Sequence, residues 1–295
     1  MYESEQLLDL HQKVLELRRK QFQIHEQIYQ AGTKIPIHFA FGHEAIAVAV
    51  ASNLLNEDKL LLTHRNVHYH LALGATVENL LSEYQLRDSP ISGRCLGSMN
   101  LDFPSKGVIY TSNILGNNLS IAAGIALGNK VKGLNSVTWC VTGDGAIEEG
   151  SFFESLLLSI SRKLSLVFLV ENNGWSLASE IADRRVEIDL NLLSQSLGIK
   201  YLRLMGNNVQ DYYSQLSKIR EIIQSKNQPF IVEVMLTTLG GYYVEENGMR
   251  RYVNYHSGRV RTDLVGESVI ELDSRDPVYI SERALESSDQ SLEKK

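Results

Sequence analysis

GDGAIEEGSFFESLLLSISRKLSLVFLVENN, residues 143–173, decides the fold. The apolar run just before it, SVTWCV over 136–141, has the length of a buried strand. EGSFFESLLLSISR (149–162) predicts a helix, and LVFLVE (166–171) predicts a second buried strand. Neither strand alternates apolar with polar, so each has both faces covered, and a strand–helix–strand order makes neighbouring strands parallel. Further along, VQDYYSQLSKIREIIQ (from Val209) predicts another helix and FIVEVML (230–236) a third strand of the same kind. The chain therefore reads as α/β: a three-layer parallel sheet with helices on both faces. Ligands of such sheets sit beyond the carboxyl ends of the strands, at a switch in strand order. Both polar clusters, Gly143-Asp144-Gly145 and Glu171-Asn172-Asn173, fall at strand ends.

Working outward, residues 4–31 read as one long amphipathic helix on the spacing of Leu7, Leu8, Leu10, Val14, Leu17, Ile24 and Ile28, stopped at Gly32. A second, alanine-rich helix starts near Gly42, KLLL (59–62) reads as a short strand, and 76–86 and 117–132 read as helices. Ser89–Gly116 shows no period and reads as a long loop, a feature that often carries function. The tail from about Ser287 is polar and reads as frayed. There is no repeat or low-complexity linker, so one domain over 1–295 is expected.

Composition narrows the functions. The chain has 295 residues, 43% of them hydrophobic, and a net charge of −6. Nucleic acid and anionic membrane surfaces call for basic patches, and no apolar run is long enough to span a bilayer. Two cysteines, Cys95 and Cys140, make no disulfide framework or metal motif and fit a reducing compartment. A cytoplasmic location is expected.

The two polar clusters carry the chemistry. Glycines on both sides of Asp144 allow a tight turn and close backbone approach to a ligand. Asn173, on the next strand, can stand beside it. A carboxylate, an amide oxygen and a main-chain carbonyl suit Mg2+, which prefers oxygen ligands and completes its shell with phosphate oxygens and water; a softer metal would call for Cys or His.

On these residues the chain resembles thiamine diphosphate-dependent enzymes, whose motif is GDG followed some thirty residues later by NN. In particular it is similar to the alpha subunit of the decarboxylating component of 2-oxoacid dehydrogenase complexes, from about Gly42 to about Pro277. GHEAIAVAV, THRNVHYHLALG, GRCLGSM (93–99), Ile114-Leu115-Gly116 and Asp276-Pro277 each resemble segments of that family. The resemblance implies that Asp144, Asn173 and the main-chain carbonyl of Trp175 hold Mg2+. It implies that Gly143, Gly145 and Ala146 flank the diphosphate, that Arg65 contacts it with His64 beside it in place of a tyrosine, and that Leu115 passes under the middle of the cofactor. Glu154 is similar to an interface glutamate of the family.

The family's histidine after its Tyr-Arg pair falls on Val67, with His68 one place later, and its Gly-His-Ser loop is replaced by GGYYVEENGMRRYVNYHSG (240–258). That stretch, like Asn-Gly-Trp-Ser at 173–176, is similar to transketolases. It makes His256, with His68, the expected proton-handling residues. A zinc site on His64, His68 and His70 is disfavoured: no cysteine is near and the third side chain points elsewhere on a helix. His11 and His25 are expected at the surface. The implied activity is that of an alpha-type subunit acting on a 2-oxo acid, by decarboxylation and acyl transfer to a lipoyl or similar acceptor. Transfer of a two-carbon ketol unit, a non-catalytic assembly role, and magnesium-dependent phosphate-ester chemistry remain alternatives. With no room for a pyrimidine-binding domain, a separate beta-type chain is expected to supply the activating glutamate in an α2β2 assembly.

Overall fold

The structure, a computed structural model, describes residues 2–292 apart from 33, 94, 247 and 261–272. In chain order the elements are α1 (Tyr2–Gln30), α2 (Glu44–Asn53), β1 (Lys59–Thr63), α3 (Val67–Ala72), α4 (Val77–Tyr84), β2 (Val108–Ser112), α5 (Asn117–Val131), β3 (Thr138–Gly143), α6 (Gly150–Arg162) and β4 (Leu166–Asn172). There follow β5 (Trp175–Ser176), β6 (Ser179–Glu180), α7 (Ile181–Arg184), α8 (Leu190–Leu197), β7 (Lys200–Leu204), α9 (Val209–Lys226), β8 (Phe230–Met235), β9 (Tyr242–Glu246), β10 (Met249–Val253) and α10 (Pro277–Leu292).

Six strands form one parallel sheet in the order β2-β1-β3-β4-β8-β7. Because side chains alternate across a strand, each central strand feeds two cores. Trp139, Val141, Val167 and Leu169 pack into one, with α1, α2, α4 and α9. Cys140, Leu166, Phe168 and Val170 pack into the other, with α5, α6 and α8. This double burial is why the strand sequences are continuously apolar.

Between β2 and β3 the chain crosses over β1 by way of α5, so strand order switches at β1 and β3. At that point the carboxyl ends of β1, β3 and β4 open side by side. The register pairs Gly143 with Glu171. This places the residues that follow, Asp144 and Asn172-Asn173, at adjacent strand tips.

Three expectations need correction. The supposed loop before Gly116 contains an edge strand, β2, too short to show a period and only partly buried. The polar tail is helical: α10 runs from Pro277 to Leu292. His11 and His25 are buried in the α1 interface rather than exposed. His11 Nδ1 lies 3.0 Å from Ser281 Oγ of α10, and His25 Nε2 accepts the Val260 N–H at 2.9 Å. No helix among the described residues is long and apolar enough to cross a membrane.

Candidate active site

A cavity with about 660 Å³ of empty space, part of it open to solvent, lies at the switch point. Its floor is the turn after β3: Gly143, Asp144, Gly145 and Ala146 all line it. His64 and Arg65 enter from the end of β1, and Leu115 and Gly116 from the start of α5. Asn173 and Trp175 come from the end of β4, and His256 from the loop after β10. Among the residues singled out from sequence, His68 is not brought there. It is fully buried on α3, with Nε2 3.5 Å from a Glu171 oxygen.

Two glycines are required by the space. A Cβ on Gly145 would stand 2.7 Å from Ser176 Oγ and 2.9 Å from Ser176 Cβ. One on Gly116, whose φ is +71°, would stand 2.8 Å from Glu149 Cβ.

Asp144 is 2% exposed. Burial pushes its carboxyl up to about 6, against the lowering effect of Arg184, whose Nη2 donates to Oδ2 at 2.9 Å. Asn173 is held from both ends of its amide: Oδ1 accepts the Trp175 N–H at 2.9 Å, and Nδ2 donates to Thr238 Oγ1 at 2.8 Å. Thr238 Oγ1 is also 2.8 Å from His43 Nε2. The Glu171 carboxylate on the other side of the ring can only accept, so in the neutral His43 ring Nε2 accepts from the Thr238 hydroxyl and the proton is on Nδ1. That nitrogen faces Glu171 at 3.4 Å, and Tyr69 donates its hydroxyl to the same carboxylate at 2.8 Å. Burial alone would raise the Glu171 carboxyl, but His43 and His68 together hold it well below the usual carboxylate range. A continuous buried relay thus runs from Glu171 through His43 and Thr238 to the Asn173 amide.

Arg65 is buried and donates to the carbonyls of Phe39 and, at 3.3 Å, of His256. His64 and His256 are both pushed down to about 4 by burial, with the Arg65 charge adding to the effect. On the far side, Tyr252 of β10 packs edge-on against Trp175 with ring centroids 6.0 Å apart, and Arg251 donates to the Ala178 carbonyl at 3.0 Å. The β9–β10 hairpin therefore buttresses the wall that carries Trp175.

Asp144, Asn173 and Trp175, which carry hard oxygens and no sulfur or imidazole donor, line one cavity. This donor set, at the turn where Gly145 packs closely against Ser176, fits Mg2+ together with an anionic ligand. His43, Thr238, Arg184 and His38 were not singled out from sequence. His43 sits within the GHEA segment, but its partner Thr238 lies 195 residues away, and the contact carries no local signal.

Fold and cavity together define an α/β protein with a ligand-sized cavity at the carboxyl ends of its parallel strands. The chain belongs to the dehydrogenase E1 component family, whose model matches residues 12–250. It is similar to the alpha subunit of acetoin:2,6-dichlorophenolindophenol oxidoreductase of Bacillus subtilis (27% identical, over 81% of this chain and 72% of that protein). It is also similar to the pyruvate dehydrogenase E1 component subunit alpha of Rickettsia bellii (29% identical, over 71% of this chain and 64% of that protein). A solved structure described as a thiamin diphosphate-dependent enzyme from Mycobacterium smegmatis matches with a TM-score of 0.46 at 13% identity, over 69% of this chain and 33% of that one.

Proposed function

We propose that this chain holds the diphosphate of thiamine diphosphate through Mg2+ and forms half of an active site that acts on a small 2-oxo acid. The observation that carries this reading is the placement of Asp144 and Asn173 at adjacent strand tips on the wall of one cavity. Bound there, thiamine diphosphate supplies a nucleophilic carbon able to add to a 2-oxo group and stabilise the charge left by decarboxylation.

The chain's own residues do the rest. Asp144, Asn173 and the Trp175 carbonyl bind the metal, and Gly145 leaves room for the diphosphate. Arg65 places a fixed positive charge beside it. Leu115 gives an apolar surface under the middle of the cofactor. His256, neutral near pH 7 because its pKa is pushed down to about 4, offers a ring nitrogen that accepts or returns a proton at the substrate. His68 has no path to the substrate; its place beside Glu171 makes it a support of the relay behind Asn173.

A separate beta-type chain is proposed to supply the carboxylate for the pyrimidine side of the cofactor. Relatives named as alpha subunits support such a pairing. An α2β2 assembly and a lipoyl acceptor extend the same reading, and cytoplasmic residence accords with free Cys95 and buried Cys140.

Two measurements test it. Thiamine diphosphate with Mg2+ should raise the melting temperature of the purified chain, and Asp144→Ala should abolish the shift; an unchanged shift overturns the metal assignment. The chain alone should lack turnover with 2-oxo acids, and mixing with its beta-type partner should restore it; full activity of the isolated chain overturns the divided site.

A further inference from the structure

The loop that carries His256 into the cavity is held from outside the cavity, and one of its holds is a histidine. Arg65 Nη2 donates to the His256 carbonyl at 3.3 Å, the Tyr255 hydroxyl donates to the Gly258 carbonyl at 2.9 Å, and the Gly258 N–H reaches the Ile37 carbonyl at 3.4 Å. At the end of the loop the Val260 N–H donates to His25 Nε2 at 2.9 Å. Val260 is itself buried and closely packed: a Cβ on Gly240 would stand 2.7 Å from its Cγ1. The bond to His25 therefore ties α1 to the chain just beyond His256.

The surroundings of His25 select the ring state that this bond needs. The side chain is 1% exposed, with its ring centroid 4.8 Å from that of Tyr29, 5.4 Å from that of Phe39 and 6.4 Å from that of Phe41. Nδ1 lies 3.0 Å from Glu26 Oε1. A carboxylate only accepts, so the proton of the neutral ring sits on Nδ1, and Nε2 is left as the acceptor for Val260.

We propose that His25 is a positioning residue for His256: its neutral ring fixes the Val260 end of the loop, and protonation of that ring lets the loop go. Both nitrogens of an imidazolium donate, so the charged ring meets the Val260 N–H donor to donor. The groups that face the ring are Glu26 and Tyr29 from α1, Phe39 and Phe41 from the segment before α2, and Arg259 and Val260 from the loop. Burial is the largest influence and lowers the pKa from its ordinary 6.5; Glu26 opposes it, and the Arg259 charge adds to it. The anchor is therefore intact near pH 7 and is lost as the pH falls through the lowered value. The consequence for catalysis rests on the proton-handling role proposed for His256, whereas the anchor itself does not.

The test follows the full chain by amide hydrogen exchange at Val260, corrected for the intrinsic rate at each pH, with β4 as the reference for global unfolding. A second readout is the rate at which diethyl pyrocarbonate modifies His256, whose ring stays neutral and reactive down to pH 5 because its pKa is pushed down to about 4. At pH 7.5, His25→Phe fills the aromatic space without an acceptor. It should speed exchange at Val260 about ten-fold, the scale of one lost hydrogen bond, and should speed modification of His256. His25→Gln, whose amide oxygen can accept from Val260, should match wild type at pH 7.5. In wild type both readouts should rise between pH 7.5 and 5, beyond any change in β4, and in His25→Gln they should stay flat. If His25→Phe does not fold, the comparison of wild type with His25→Gln decides alone. Unchanged exchange in a folded His25→Phe, no acid response in wild type, or an equal response in His25→Gln would overturn the anchor. A loosened Val260 with unchanged modification of His256 would overturn the positioning role. Unaltered turnover of His256→Asn with the beta-type partner would instead strike the proton-handling reading and leave the anchor standing.

Discussion

The guanidinium of Arg18, on α1, is clamped between Glu44, at the start of α2, and Asp276, which lies 258 residues away and immediately precedes α10. Nε and Nη2 donate to Glu44 at 2.6 and 3.0 Å, and Nη1 and Nη2 donate to Asp276 at 3.0 and 2.9 Å. Glu44 also accepts from Gln21 at 2.9 Å and from the Gly42 N–H at 2.8 Å. The Glu of GHEA and the Asp of Asp276-Pro277 thus serve the fold, tying both ends of the chain to the helix that leads into the site.

One cation balances two buried carboxylates, so the triad responds unevenly to substitution. Arg18→Met strands both acids and should cost about 3–5 kcal/mol, the scale for breaking a buried pair from one side. Asp276→Asn leaves a balanced Arg18–Glu44 pair and keeps an acceptor for Arg18 and for the Val278 N–H, and should cost about 1 kcal/mol. Urea denaturation midpoints decide this; equal losses in the two variants would refute the charge argument.

The relay behind Asn173 predicts a binding defect on top of the modest loss of stability, about 1–3 kcal/mol, that comes from leaving His43 Nε2 without a partner. Thr238→Val removes the acceptor of the Asn173 amide and the donor to His43 while keeping the side-chain volume. Freed from one restraint, Asn173 no longer presents a fixed amide to the metal. Mg2+-dependent affinity for thiamine diphosphate should fall about ten-fold, as for other residues that orient metal ligands. Calorimetric titration of wild type and variant measures it, and equal affinities would show that the relay is only structural.

Buried neutral histidines set the acid limb of stability. Burial lowers His25 and, opposed by its hydrogen bond to Leu101, takes His70 down to about 3; burial with the Arg65 charge takes His64 down to about 4. Their unfolded values lie near 6.5, so below that pH the unfolded chain binds more protons than the native one. Stability is therefore complete above about pH 6.5 and falls as pH drops toward 4, by on the order of 1 kcal/mol per pH unit for His70 alone. At His25 protonation also removes the acceptor of the Val260 N–H. Melting temperature recorded from pH 7.5 to 4.5 should decline steadily below pH 6.5, and His70→Gln should flatten the slope; a flat wild-type profile would contradict neutral burial.

The layers and the central strands were legible because strands covered on both faces must be apolar at every position, as in Thr138–Val141 and Leu166–Val170. The edge strands β2 and β7 were not. Each has a partner on only one side and partly buried side chains, so Lys200–Leu204 mixes charged and apolar residues and shows no strong pattern. At the site, Asp144 and Asn173 could be paired from sequence because one helix separates adjacent strands. His38, His43, Thr238 and Arg184 could not, since each joins the cavity or its support through contacts set by loop geometry. The misjudged burial of His11 and His25 has a similar origin: on α1 they occupy the apolar face, and they are covered by parts of the fold outside that helix, Ser281 of α10 at His11 and Phe39, Phe41 and Val260 at His25.

Gly145 offers the sharpest steric test of the turn after β3. Its backbone has no unusual φ, so alanine is not strained there by torsion; the obstacle is Ser176, whose Oγ and Cβ would lie 2.7 and 2.9 Å from the new methyl group. Relief requires Ser176 to move, and with it the short strand β5 that begins at Trp175, the residue whose carbonyl is assigned to the metal. Overpacking of this kind costs about 1–3 kcal/mol. Gly145→Ala should therefore lower both the melting temperature and the Mg2+-dependent affinity for thiamine diphosphate. Adding Ser176→Gly removes the clashing atoms and should recover most of the lost melting temperature. Recovery of affinity along with it would place the defect in the displaced β5; a stable double variant that still fails to bind would show instead that the methyl group occupies ligand space. A Gly145→Ala protein with unaltered stability and binding would contradict the close packing of this turn.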